Sequence, residues 1–282
     1  MYIQIDERLR NELEVSVFAT GLMGSHCHGL NDEQSDTDYI KLFYDPNYAD
    51  TIHWDSYGFQ YKTATSDENY QEIRSYIRNL IIGDSPADYE ALMYGFVSDS
   101  DDWKVIESWL KLNIKSYSLM KSYLGYIKKD IKDARKIITS TSKCRALFNK
   151  MSHISRGIST VINLIHDRPY AFGTNTDSFE FKEAKSFKDG TNDEYESSAF
   201  IADLLKSDEV LVESIRTNIN MKLESNLIVR RMHPSKLKEL DVLLAQFLSC
   251  YSISYPINYG DIRYQVIEKG LTFQYDQVEA IT

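Results

Sequence analysis

Apolar and polar positions recur with two different periods along this chain, and the change of period divides it. Residues 14–21 (EVSVFATG) run β-branched and aromatic side chains up to a glycine, which predicts a strand. A second strand is expected at 39–44 (YIKLFY), ended by Asp45-Pro46, and a third around 57–65. Residues 68–82 carry Ile73, Ile77, Leu80 and Ile81 at helical spacing behind Thr65-Ser-Asp-Glu68, so a helix opened by a capping box is expected there. Asp84-Ser-Pro86 breaks it. From Asp101 onward the helical period takes over. Its clearest run is Leu147, Met151, Ile154, Ile158, Val161 and Ile165, one continuous apolar stripe that must pack a core. Residues 173–198 are rich in Gly, Ser, Thr, Asn and charge and read as a long polar loop. Two further helical stretches follow, at about 207–230 and 234–251.

Composition narrows what such a chain can do. Its 282 residues, 43% of them apolar, can enclose one large domain or two ordinary ones. No stretch of about 18 apolar residues is present, and the first residues are too charged for a signal peptide, so a soluble, cytoplasmic protein is expected. Cys27, Cys144 and Cys250 are odd in number and far apart, with no CxxC pair, which predicts reduced thiols. A net charge of -10 argues against a broad surface that coats nucleic acid. A polyanionic substrate would have to be held by a focused site or through metal ions.

The candidate chemistry lies between the first two strands, in GSHCHGLNDEQSDTDYI, residues 24–40. Gly24 and Ser25 fall at the end of the first strand, and Asp36 and Asp38 at the start of the second. Side chains two apart on a strand point the same way, so the two carboxylates share one sheet edge and can share divalent cations. Magnesium takes oxygen ligands and is commonly held by a few carboxylates plus substrate phosphates. A Gly-Ser turn that opens a helical turn offers N–H groups and a hydroxyl to phosphate oxygens. An isolated SDxD is more often a solvated turn. His26, Cys27 and His28 offer zinc as an alternative, but neighbours in sequence do not easily converge on one ion and no distant Cys/His pair is available. Lining the cleft or packing is the simpler role for them.

Gly24-Ser25, Gly29 and then Ser35-Asp36-Thr37-Asp38 leading into an apolar strand resemble the G-S-x(n)-[ST]-D-x-D-h pattern of the DNA polymerase β superfamily of nucleotidyltransferases. Four further stretches resemble the RlaP/YcgL-type predicted nucleotidyltransferases found in phages and beside RNA-repair genes. Asp67 to Tyr76 (DENYQEIRSY) is similar to D-x(4)-[DE]-L-R-K-[FA], with Ser75 where that family has lysine. Ser85-Pro-Ala-Asp-Tyr-Glu90-Ala-Leu is similar to N-P-x(3)-E-x-L, with Ser85 for the asparagine. Ser122 to Tyr126 (SYLGY) resembles the family's phenylalanine-glycine-tyrosine helix start, and Lys150 to Arg156 (KMSHISR) its K-x-x-H-x-x-R. The likeness covers about residues 14–160.

That resemblance implies an α+β fold: a polymerase β-like mixed sheet flanked by helices and followed by a helical C-terminal region, with 1–100 as the nucleotidyltransferase core and 101–282 helical. It implies metal-dependent transfer of a nucleoside monophosphate from a nucleoside triphosphate to an RNA end or a protein hydroxyl, with magnesium or manganese as cofactor, no membrane partner, and the host cytoplasm as location for a phage-encoded member. Asp36 and Asp38 would hold the metal. A third carboxylate from the neighbouring strand completes such sites, and Asp67 is chosen over Glu68 and Glu72, although an acid at that place can also cap the helix that follows. Gly24 and Ser25 would meet the phosphates. Lys150, His153 and Arg156 form a polar ridge that could contact triphosphate or an RNA acceptor, or be a solvated face. Tyr123 and Tyr126, on a basic stretch, could stack on bases or be half-buried helix residues. The alternative from another class is an antitoxin-like or phage-encoded binding module that keeps the fold without catalysis.

Overall fold

Why the front half makes a sheet is visible in how its strands alternate. The structure, a computed structural model, describes residues 2–31, 33, 35–45, 58–83, 85–114, 117–140, 145–168, 179–189, 198–225, 227–228 and 232–254. Six strands pair in the order β1-β4-β5-β3-β2-β6: β1 (Tyr2–Gln4), β2 (Val17–Met23), β3 (Thr37–Phe43), β4 (Gly58–Lys62), β5 (Ser66–Glu72) and β6 (Phe96–Val97). The sheet is mixed. β1 runs parallel to β4 and β3 parallel to β5, while the β4–β5, β2–β3 and β2–β6 pairs are antiparallel.

Successive side chains on a strand face opposite ways, and each face of this sheet has its own core. Ile40 and Leu42 of β3 join the large core, with Trp103 and Tyr76, whereas Phe43 of β3 and Tyr70 of β5 join a small one with Leu9 and Leu13 of helix α1 (Glu7–Glu14). Burial of each fully enclosed Ile or Leu contributes about 1.5–3 kcal/mol. The small core is sealed by charge. Lys41 of β3, Glu68 and Tyr70 of β5, Arg10 and Glu14 of α1 meet there, with Lys41 Nζ 2.8 Å from Glu14 Oε2 and Arg10 Nε 3.0 Å from Glu68 Oε2. Burial alone would raise the Glu68 carboxyl, but the hydrogen bonds of Arg10, Tyr70 and Lys41 hold it at about 2.

The helix expected over 68–82 begins later. Residues 66–72 are strand β5, and helix α3 (Ile73–Ile82) starts behind Glu72, whose side chain accepts from the backbone N–H groups of Arg74 and Ser75. Thr65-Ser-Asp-Glu68 is therefore a turn into a strand and not a capping box. The first strand likewise starts at Val17 rather than at 14, because Glu14 closes α1, which the apolar pattern did not show. Helix α4 (Pro86–Tyr94) follows Ser85, which caps it through a hydrogen bond from Asp88 N.

Helices α5 (Asp101–Asn113), α6 (Tyr117–Ser140), α7 (Arg145–Ile165), α9 (Ser198–Glu224) and α10 (Pro234–Ser254) follow where a helical region was expected. The stripe of α7 is buried along its length, as its spacing requires. Within 173–198, residues 179–189 form helix α8 (Phe179–Asp189), which packs on α7 through buried Phe181, Ala184 and Phe187. The rest of that polar stretch, like Pro46, Tyr57, Asp84 and Cys144, lies outside the described residues except for Ser198, which opens α9. Among the described residues no helix is long and apolar enough to cross a membrane.

Candidate active site

Strand register brings the acids together. In the β2–β3 pair Met23 stands opposite Asp38, and in the β3–β5 pair Asp38 stands opposite Asp67. Asp38 shares a strand face with Ile40 and Leu42, and Asp67 is its direct partner, so both carboxyl groups emerge on the large-core face at one end of the sheet. Asp36 precedes β3 by one residue and is exposed. Burial first, then the charges of Asp67 and Asp36, push the Asp38 carboxyl above its ordinary value. Asp67 and Asp36 thus both act electrostatically on Asp38.

The rivals for the third carboxylate face the other way. Glu68, one residue past Asp67, points into the Arg10–Lys41 cluster under α1, and Glu72 caps α3 while Arg74 Nε lies 2.8 Å from its Oε1. A one-residue step on a strand reverses the face, which is the reason for Glu68. Asp67 caps no helix. Two residues that no motif marks hold it: Gln60 Nε2 donates to both carboxylate oxygens at 2.8 Å, and Lys62 Nζ is 3.6 Å from Oδ2. Both lie on β4, two apart and beside β5, a spacing that could have flagged them once the strands were paired.

Gly24 closes the site from the other side. It opens the four-residue helical turn α2 (Gly24–Cys27) with φ +62, and a methyl group there would stand 2.6 Å from Asp38 Oδ2. Only glycine combines that backbone with that approach. Ser25 follows in the same turn, and its carbonyl accepts from Leu30 N at 2.9 Å, which folds the loop back on itself. The next three residues do not converge on one point. His26 Nε2 lies 3.4 Å from Thr37 Oγ1, Cys27 Sγ reaches toward the Glu90 carbonyl at 3.6 Å, and His28 Nε2 lies 3.0 Å from Glu90 Oε2. Burial pushes the Cys27 thiol up to about 12, so it stays protonated.

His28, Glu90 and Arg156 form a buried knot that joins the Gly-Ser loop to α4 and α7. Arg156 pairs with Glu90, and its Nη1 lies 2.6 Å from His28 Nε2. A guanidinium only donates, so this ring nitrogen accepts from it in the neutral imidazole. Burial and then the Arg156 charge lower the His28 value, in keeping with that state. Burial would raise the Glu90 carboxyl, but the Arg156 charge outweighs it and holds the group well below the usual carboxylate range. Tyr123 Oη donates to Glu90 Oε1 at 3.0 Å.

The other candidates have partners inside the protein. Arg156 braces the loop from behind. Lys150 Nζ is 2.6 Å and His153 Nδ1 3.5 Å from Asp130 of α6. Tyr123 is buried against the knot, whereas Tyr126 is exposed. The basic stretch of α6 is partly neutralised by α9, through Lys128–Glu213 and Arg135–Glu209 ion pairs of 2.5 and 2.7 Å. Ser75, where the resembled family has lysine, is buried in the first turn of α3 and brings no cation to the site.

Among the described residues no three His, Cys, Asp or Glu side chains close around a point as a complete metal-ligand set. The acids form an open edge instead. Carboxylate oxygens on an open edge fit magnesium or manganese, hard ions that complete their shells with waters and substrate oxygens.

No protein-family description and no curated protein matches the chain. Among solved structures it is similar to a nucleotidyltransferase-like protein from Exiguobacterium sibiricum, with 14% identity over 94% of this chain and 90% of that one and a TM-score of 0.36.

Proposed function

We propose that the protein is a metal-dependent nucleotidyltransferase that moves a nucleoside monophosphate from a nucleoside triphosphate to an RNA end or a protein hydroxyl. The observation that carries this reading is the Asp38 carboxylate set against the backbone of Gly24 on one side and in register with Asp67 on the other. A Gly-Ser turn beside an acid edge is the juxtaposition that the G-S…D-x-D resemblance implies. Asp36, Asp38 and Asp67 would hold magnesium, which when bound neutralises phosphate charge and favours departure of pyrophosphate. The chain's own groups do the rest. The Ser25 hydroxyl and neighbouring N–H groups hold terminal phosphate oxygens, Asp67 takes the proton of the attacking hydroxyl, and Gln60 and Lys62 keep Asp67 aimed. The knot behind the loop fixes Gly24 and Ser25 without touching substrate.

The test is transfer of label. Each α-labelled triphosphate, offered with magnesium and a panel of RNA ends and host proteins, should give a labelled acceptor with the wild type and none with Asp36→Asn plus Asp38→Asn. Independently of the acceptor, magnesium plus the correct triphosphate should raise the melting temperature by mass action. The double aspartate variant should lose that rise and His26→Ala should keep most of it. A rise that survives loss of both aspartates would overturn the assignment.

A further inference from the structure

A concave site lies away from the acid edge, between α7, α8 and α9. Its cavity is about 290 Å³, the size of a small fragment rather than of a nucleotide. Ile158 of α7, Phe187 of α8 and Leu204 of α9 wall it with apolar surface. Into this surface project two carboxylates, Glu183 and Asp208. Ser155 Oγ donates to Glu183 Oε2 at 2.6 Å and so orients it, but among the described residues neither acid has a lysine or arginine partner. Burial and the neighbouring Glu183 charge push the Asp208 carboxyl up to about 6.

Ser159 supplies an independent sign that something is meant to sit here. It is 8% exposed, lines the same cavity, and its hydroxyl has no hydrogen-bond partner among the described residues. A buried hydroxyl without a partner is costly, and so are two carboxylates without a cation in an apolar wall. One ligand chemistry relieves all three: a group that donates several hydrogen bonds, carries positive charge and trails a short hydrocarbon. We infer that the α7–α8–α9 cavity binds a primary alkylammonium ion, its N–H groups donating to Glu183, Asp208 and the Ser159 hydroxyl and its chain lying on Ile158, Phe187 and Leu204. An anion or a phosphate would meet the wrong charge.

Butylamine is the probe. Calorimetric titration of the full chain at neutral pH should show saturable binding at one site, while butanol, of the same shape without charge, should show none. Asp208→Asn and Glu183→Gln should each weaken butylamine by at least about tenfold. Asp208→Asn removes a half-buried charge that has no cation among the described residues and so should fold at least as well as the wild type, which keeps the variant informative. Asp36→Asn with Asp38→Asn should bind butylamine unchanged, so this site and the proposed transferase site stand or fall separately. Absence of saturable binding, equal binding of butanol, or indifference to both acid variants would each overturn the assignment.

Discussion

The Asp38 charge costs the fold stability, and under the proposed function it is that charge which would hold the metal. The carboxyl is raised in the folded protein by burial and by Asp67 and Asp36, so the fold binds that proton more tightly than the unfolded chain does. Stability must then fall as pH rises from the ordinary carboxyl value of 3.8 through the raised one. Asp38→Asn should therefore raise the melting temperature of the ligand-free protein at neutral pH, with the gain shrinking as the buffer is made more acid; scanning calorimetry across pH checks it. The same change should cut transfer by more than about a hundredfold, beyond what loss of a mere supporting partner costs. For the wild type, triphosphate affinity in magnesium should drop as pH falls through the raised Asp38 value, since the metal competes with that proton. The strand pattern put Asp38 at the start of β3, where the structure has it, but Asp36, expected on the same strand, lies one residue before it and is exposed. Asp67 was nameable only by resemblance, and what separates it from Glu68 is the pairing with β3, which a single strand does not display.

Elements were legible in proportion to how apolar their buried side is. The stripe of α7 announced itself because nearly every residue on it is hydrocarbon. β5 did not, since one of its faces presents Glu68, Tyr70 and Glu72 and the other Asp67, Asn69 and Gln71, and a strand that buries charge against Arg10 and Lys41 shows no hydrophobic alternation. Its Thr-x-x-Glu start then imitated a capping box. Helix α1 escaped for a similar reason, with only Leu9 and Leu13 to mark its buried side. Helix α3 ends at Gly83 with φ +71, and a methyl group there would stand 2.4 Å from the backbone nitrogen of Leu119 on α6. Gly83→Ala should destabilise the protein by at least about 1–3 kcal/mol, the cost of a strained backbone conformation, measured by urea unfolding. Gly125, with nothing within 4 Å of where its Cβ would be, is the matched control: alanine there should be neutral or stabilising.

Across the whole molecule, the His28–Glu90–Arg156 knot adds a buried polar tie to the apolar core shared by the front sheet and the helical region. In the sequence Glu90 and Arg156 sit in separate motifs, and the contact between two positions so far apart depends on how α4 packs on α7. Arg156→Met leaves the Glu90 charge buried without its cation and should cost about 3–5 kcal/mol. Because the Glu90 carboxyl is held below its ordinary value of 4.5, the stability it contributes is present above that pH and is lost as pH falls below it, so the variant should show a flatter acid limb in its stability profile than the wild type. The pairing of Asp38 with Asp67 has a consequence in time as well as in space. β5 reaches β3 only after the chain has passed through β4, and a slip of one residue would set Glu68 opposite Asp38 and turn every side chain of β5 to the wrong face. The acid edge thus depends on a contact between separate strands rather than on the near-neighbour hydrogen bonds of a helix, and such contacts form more slowly during refolding. Helical signal after dilution from denaturant should return well before the capacity to bind magnesium and triphosphate, and the delay between the two would time the closing of the β3–β5 ladder.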